Sequence, residues 1–148
     1  MDAIRHWLYI GKYRDTLNPN LLSMHKIGAI LEMAEPVAYP TIATLYLPVE
    51  DGVPLPQHFL RQGIDFILTA KGQERRVLVA CGAGISRSVA FAVAALKEAE
   101  GLSLLEALRL IHTHHAEALP HPALWESLCD YYREDISLHE MLGALRDE

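Results

Sequence analysis

Eight consecutive residues hold the densest reactive chemistry in this chain: Cys81-Gly82-Ala83-Gly84-Ile85-Ser86-Arg87-Ser88. A thiol stands six positions before a guanidinium, with two glycines between them. That spacing suits a loop closed around an oxyanion with three or more oxygens. Gly82 and Gly84 let the backbone turn tightly and aim N–H groups inward as an anion nest. Arg87 can grip two oxygens in a bidentate fork, a geometry Lys does not offer. The same donors favour a thiolate. A free thiol titrates at about 8.5, and a helix N-terminus beside Arg can bring that below about 7. An activated sulfur next to a bound phosphate points to covalent catalysis through a phosphocysteine. The Ser88 hydroxyl is placed to stabilise that sulfur when it leaves. The leaving oxygen needs a proton donor. Asp51, in Glu50-Asp51-Gly52, is the candidate, with Glu50 as its rival.

These side chains need a scaffold to bring them together. Val77-Leu78-Val79-Ala80 runs apolar into Cys81, as a strand covered on both faces does. Ser88 to Glu100 is apolar on nearly every side at its start, which predicts a buried central helix capped by Gly101. The N-terminus of that helix adds positive partial charge behind the loop. Upstream, strands are expected at Trp7–Ile10, Ala29–Met33 and Thr44–Val49, the last leading to Asp51. Helices are expected from Asn18-Pro19 and from Pro56 to Ala70. Downstream, Ser103–Glu106 and Ser137–Glu140 read as capping boxes opening two helices. A third helix carries Leu124, Trp125, Leu128 and Tyr132. The alternation predicts an α/β fold in a single domain, residues 1–148, with 137–148 as a helical extension. Its central sheet should be mostly parallel, of about five strands, with helices on both faces. The phosphate loop joins the last strand to the central helix.

Composition narrows the partners. The chain has 148 residues, 51% of them apolar, enough for one sizeable core. Thirteen Lys and Arg face nineteen Asp and Glu, a net charge of −6, which argues against nucleic acid and anionic membranes as partners. The longest apolar run, Val89–Leu96, falls far short of the ~20 residues that span a bilayer. The first residues hold no apolar stretch of leader type. A cytoplasmic setting, where thiols stay reduced, is therefore expected. Of the two cysteines, Cys129 sits on an apolar helical stretch and reads as core. His112, His114, His115 and His121 invite a metal reading, since His112 and His115 stand three apart and could share a helical face. They read as a solvated helix end rather than a metal site. Trp7, Tyr9 and Trp125 read as core or sheet anchors.

Taken together, the loop resembles the signature of the dual-specificity, cysteine-dependent protein phosphatases. Trp7–Gly11 resembles that family's opening strand, and Leu47-Pro48-Val49-Glu50-Asp51 its general-acid segment. Ser103–Leu108 and the Pro120 region resemble its later helices, so the resemblance runs from about Ile4 to Arg133. It implies that Cys81 is the nucleophile, Arg87 the phosphate clamp, Asp51 the acid and then the base, and Ser88 the thiolate partner. Gly82, Ala83, Gly84, Ile85 and Ser86 would supply backbone amides. It implies no metal and no cofactor. The implied activity is hydrolysis of phosphotyrosine, with phosphoserine or phosphothreonine beside it, in phosphorylated proteins or peptides, by a monomer.

Two positions depart from the pattern. Ala80 stands where the family usually has the His that helps order the loop, and His121 stands where it often has Asn. The loop also lacks the lysines found in relatives that act on inositol phospholipids, which favours a singly phosphorylated side chain. Ala80 keeps open a module that binds phospho-residues without turnover. The same chemistry on an RNA 5′-phosphate, a phosphoglycan or a small phosphometabolite is a further alternative.

Overall fold

The computed structural model describes residues 1–146. The chain opens with β1 (Asp2–Arg5) and β2 (Leu8–Lys12), passes through α1 (Tyr13–Thr16) and α2 (Pro19–Met24), and returns as β3 (Ile27–Glu32) and β4 (Ala43–Tyr46). Then follow α3 (Gln57–Gly72), β5 (Arg76–Cys81), α4 (Arg87–Glu100), α5 (Leu104–His114), α6 (Pro122–Tyr132) and α7 (Leu138–Ala144). The five strands form one sheet in the order β1-β2-β5-β3-β4. All neighbours are parallel except β1, which runs antiparallel to β2.

β5 lies in the middle of the sheet, and each of its residues from Val77 to Cys81 is buried. This is why its sequence is uniformly apolar rather than alternating. One face of the sheet carries the main core, in which Ile64 and Ile67 of α3 and Val89, Phe91 and Val93 of α4 are fully buried. The other face carries a smaller cluster of Tyr9, Leu22, Ile27, Ile30, Leu78 and Ala80, with Leu22 supplied by α2. The expected α/β sheet with helices on both faces is therefore present, with the coverage uneven.

α4 is placed tightly. A Cβ at Gly63 of α3 would stand 2.3 Å from a ring carbon of Phe91, so only glycine allows this approach. Gly101 ends the helix in a left-handed conformation at φ 69°. Both features fix where the other end of α4, under the Cys81 loop, must sit.

Two expectations need adjusting, and one strand was not expected. β1 was not legible as a strand, since only one of its four residues is buried. β4 stops at Tyr46 rather than reaching Val49. Pro48 has no N–H to give to a ladder, so Leu47 donates one last bond to the Glu32 carbonyl at 2.9 Å and the chain turns away. Of the two expected capping boxes, the one at Ser103 forms in full. At Ser137 the hydroxyl accepts the Glu140 N–H, but the Glu140 carboxylate meets that hydroxyl instead of the Ser137 backbone. The helix that follows packs Met141 and Ala144 into the domain. The last two residues of the expected 137–148 extension lie outside the described residues.

Glu32 ends β3 as a buried carboxylate, with one oxygen accepting the N–H groups of Met33 at 3.0 Å and Ala34 at 2.7 Å. Burial pushes its carboxyl above the ordinary range, outweighing the pull of those N–H groups in the opposite direction. A raised carboxyl binds its proton more tightly folded than unfolded. Stability is then highest below the unfolded value and declines as pH rises through the folded one. Glu32→Gln is expected to raise Tm at pH 7, with the gain vanishing as melts are repeated toward pH 4.

Candidate active site

Cys81 is the last residue of β5, only 2% exposed. Its sulfur lies 3.2 Å from Ser88 Oγ and receives the Ser88 N–H at 3.4 Å. Ser88 is itself fully buried in the first turn of α4. The strand thus delivers the thiol to the helix N-terminus, with residues 82–86 forming the loop between them.

The loop is held from outside by its carbonyls. Gly82 O accepts from Tyr13 N–H at 3.4 Å, and Ile85 O from Leu119 N–H at 2.9 Å. Gly84 O lies 2.6 Å from His115 Nε2. In a trans peptide the C=O and the next N–H point in opposite directions. Carbonyls turned outward at residues 82, 84 and 85 therefore turn the N–H groups of Ala83, Ile85 and Ser86 toward the inside of the loop. Gly84 makes the bend at φ 70°, and a Cβ there would stand 2.8 Å from the Gly11 carbonyl oxygen.

Arg87 does not hang free. Its Nη1 donates to Met33 O at 3.1 Å and to Val49 O at 3.0 Å, joining the end of β3 to the segment before Asp51. Its Nη2 lies close enough to the loop that a Cβ at Gly82 would stand 3.3 Å from it. Asp51 reaches the same place from the loop after β4. Its Oδ1 accepts from Ser86 Oγ at 2.7 Å, and that hydroxyl accepts the His121 N–H at 2.8 Å.

Cys81, Arg87, Asp51, Ser86, Ala83 and Ile85 line one cavity of about 480 Å³. Glu50 is exposed and does not line it. Across the cavity stands an apolar wall of Leu119, Pro120 and Pro122, extended by Leu138, Met141 and Leu142 of α7. The contribution of α7 was not expected from sequence.

The histidines must be reassigned. His115 is buried, with its ring between Asp2 and the loop, so it is not part of a solvated helix end. Its backbone leaves the helix at φ −146°, which removes it from the face that the spacing to His112 suggested. His121 caps α6, its Nδ1 accepting from Ala123 N–H at 3.0 Å. Cys129 behaves as expected: it packs against the core, and burial pushes its thiol up. Trp7, Tyr9 and Trp125 are all buried.

The sequence profile of the dual specificity phosphatase catalytic domain matches residues 8–134, nearly the whole chain. The chain belongs to the dual specificity phosphatase family. Human dual specificity protein phosphatase 16 is 34% identical over 134 residues, covering 86% of this chain and 20% of the relative. Mouse dual specificity protein phosphatase 19 is 29% identical over 139 residues, covering 88% of this chain and 61% of the relative. The chain thus spans only part of these relatives. Among solved structures, human DUSP28 superposes with a TM-score of 0.83 at 23% identity, over 90% of this chain and 96% of that one. A mouse putative dual specificity phosphatase, complexed with zinc tungstate, superposes at 0.83 with 26% identity, over 89% and 86% of the two chains. The mostly parallel five-stranded sheet is the fold of this dual specificity phosphatase group.

Proposed function

We propose that the domain hydrolyses phosphotyrosine, and with it phosphoserine and phosphothreonine, through a phosphocysteine intermediate without metal. One observation carries this reading: the Cys81 sulfur, the Arg87 guanidinium and the Asp51 carboxyl converge on one cavity floored by inward-turned amides. Inward N–H groups and Arg87 bind three phosphate oxygens and neutralise charge as it develops. Cys81 Sγ then forms a bond to phosphorus while the ester P–O bond breaks, and the proton of Asp51 passes to the departing oxygen. In the second step water attacks phosphorus and gives its proton to the Asp51 carboxylate. The S–P bond breaks and inorganic phosphate leaves. The electron pair of that bond returns to the Cys81 sulfur, and the Ser88 O–H and N–H donate hydrogen bonds to the thiolate that forms.

Ser86 has a part beyond its amide. By donating to Asp51 Oδ1 it leaves the other carboxyl oxygen to carry the acidic proton. The apolar wall across the cavity suits an aryl ring, which favours phosphotyrosine over the shorter phosphoserine. A reduced, cytoplasmic setting agrees with a reaction that needs a free thiol.

Phosphate release from phosphotyrosine and phosphoserine peptides in the presence of a chelator tests the reading. Turnover that requires added metal, or phosphopeptide binding with no release, overturns it. Asp51→Asn is expected to lower kcat about 10²–10⁴-fold on phosphotyrosine. The loss should be much smaller on an aryl phosphate whose leaving group needs no proton. If Glu50→Gln shows that leaving-group-dependent loss instead, Glu50 holds the role.

A further inference from the structure

His115 follows the last turn of α5, 31 residues after the loop residue it touches and 113 after its partner on β1. The ring is 3% exposed. Nε2 lies 2.6 Å from Gly84 O and Nδ1 lies 2.6 Å from Asp2 Oδ2, with Glu117 Oε1 3.7 Å from the same nitrogen. A carbonyl oxygen only accepts hydrogen bonds, and so does an ionised carboxylate. Both ring nitrogens therefore face acceptors, and the contacts are satisfied when both carry protons. Lys12, Arg14 and Asp15 line the same hollow, and the amino group of Met1 pairs with Asp15 at 3.4 Å. The two carboxylates nearest the ring are Asp2 and Glu117.

We propose that His115 is a positioning residue of the phosphate loop, a doubly protonated ring that holds the Gly84 carbonyl outward and so turns the Ile85 N–H toward the bound phosphate. Gly84 is where the loop most needs such a hold. It takes a left-handed turn against the Gly11 backbone, and the next carbonyl, Ile85 O, is tied separately by Leu119. Ala80, fully buried before the thiol, offers no side-chain donor. The donor to the loop comes instead from α5 and is anchored through Asp2 to the outermost strand. Charge adds to geometry, because a cation behind the loop reinforces the amides that face the phosphate dianion.

This inference rests on reading the loop as a phosphate site, so its test separates the two. The wild-type chain, His115→Ala and His115→Gln are compared in inorganic phosphate binding, in hydrolysis of an aryl phosphate, and in nitrogen-15 spectra of the histidine rings and the Ile85 amide. His115→Ala is expected to weaken phosphate binding and lower kcat roughly 10- to 100-fold, less than loss of an oxyanion donor outright, and to move the Ile85 amide signal. His115→Gln keeps an N–H for Gly84 O and should recover most of the loss at an equal Tm. That rescue distinguishes positioning from general support of the fold, and the Gln variant decides the matter should the Ala variant not fold. Unchanged phosphate affinity and kcat in a folded His115→Ala, or a wild-type ring protonated on one nitrogen only, overturns the proposal. If the wild type neither binds phosphate nor turns over, the phosphatase reading fails, while the ring and Ile85 signals still judge the contact.

Discussion

Cys81→Ser is expected to fold normally and to release essentially no phosphate, with kcat down by at least ~10⁴-fold. Oxygen replaces sulfur in a site already built for a hydroxyl-sized neighbour, since Ser88 Oγ sits 3.2 Å away. Packing therefore changes little. The chemistry changes greatly, because the alcohol holds its proton near neutral pH and the thiolate is the nucleophilic form. Arg87, the inward amides and the helix N-terminus all remain, so phosphate affinity should survive. Rate assays with an aryl phosphate and with phosphotyrosine peptide, beside phosphate binding to the same preparations, check both halves. Turnover that persists in Cys81→Ser would mean that another group attacks phosphorus.

Gly84→Ala should come second in size, by a different route. At φ 70° an alanine carries a cost of roughly 1–2 kcal/mol. The new methyl would also stand 2.8 Å from the Gly11 carbonyl oxygen, a backbone atom that cannot swing aside. The loop must shift, and with it the amides of Ile85 and Ser86. A displacement of about 1 Å in an aligned site is worth on the order of 10²-fold in rate. A loss near 10²-fold in kcat/KM is expected, with a Tm lowered by a few degrees. Gly101→Ala is the control. It has nearly the same φ, 69°, with no atom within 4 Å of the new methyl. It should share the drop in stability and keep the rate. Equal rates for Gly84→Ala and the wild type would mean that the loop tolerates rearrangement.

How far the sequence reveals this site depends on how far apart its parts lie. Cys81, Arg87 and Ser88 are readable because strand, loop and helix are contiguous, and each leaves its own local mark. Asp51 is readable at one remove, since a strand ending near the sheet edge points its loop toward the same end of the sheet. His115 is not readable. Its partners are distant in the chain, and it stands in a run of histidines whose spacing suggests a shared helical face that the backbone abandons one residue too early. β1 escapes for the opposite reason: four residues with a single buried side chain carry no period to detect. The apolar wall from α7 depends on where that helix docks. Its stripe of Leu138, Met141, Leu142 and Leu145 divides between core and cavity, with Met141 buried and Leu138 and Leu142 partly open.

Arg87 has one more consequence. A free arginine side chain carries about 2 kcal/mol of rotamer entropy, and a ligand that immobilises it loses that much of its affinity. Here Met33 and Val49 carbonyls hold one end of the guanidinium before any phosphate arrives. The freezing happens when the chain folds, not when the substrate binds. On the proposed reading, even a small phosphate ester with nothing beyond a ring to contribute would meet a clamp that is already stiff.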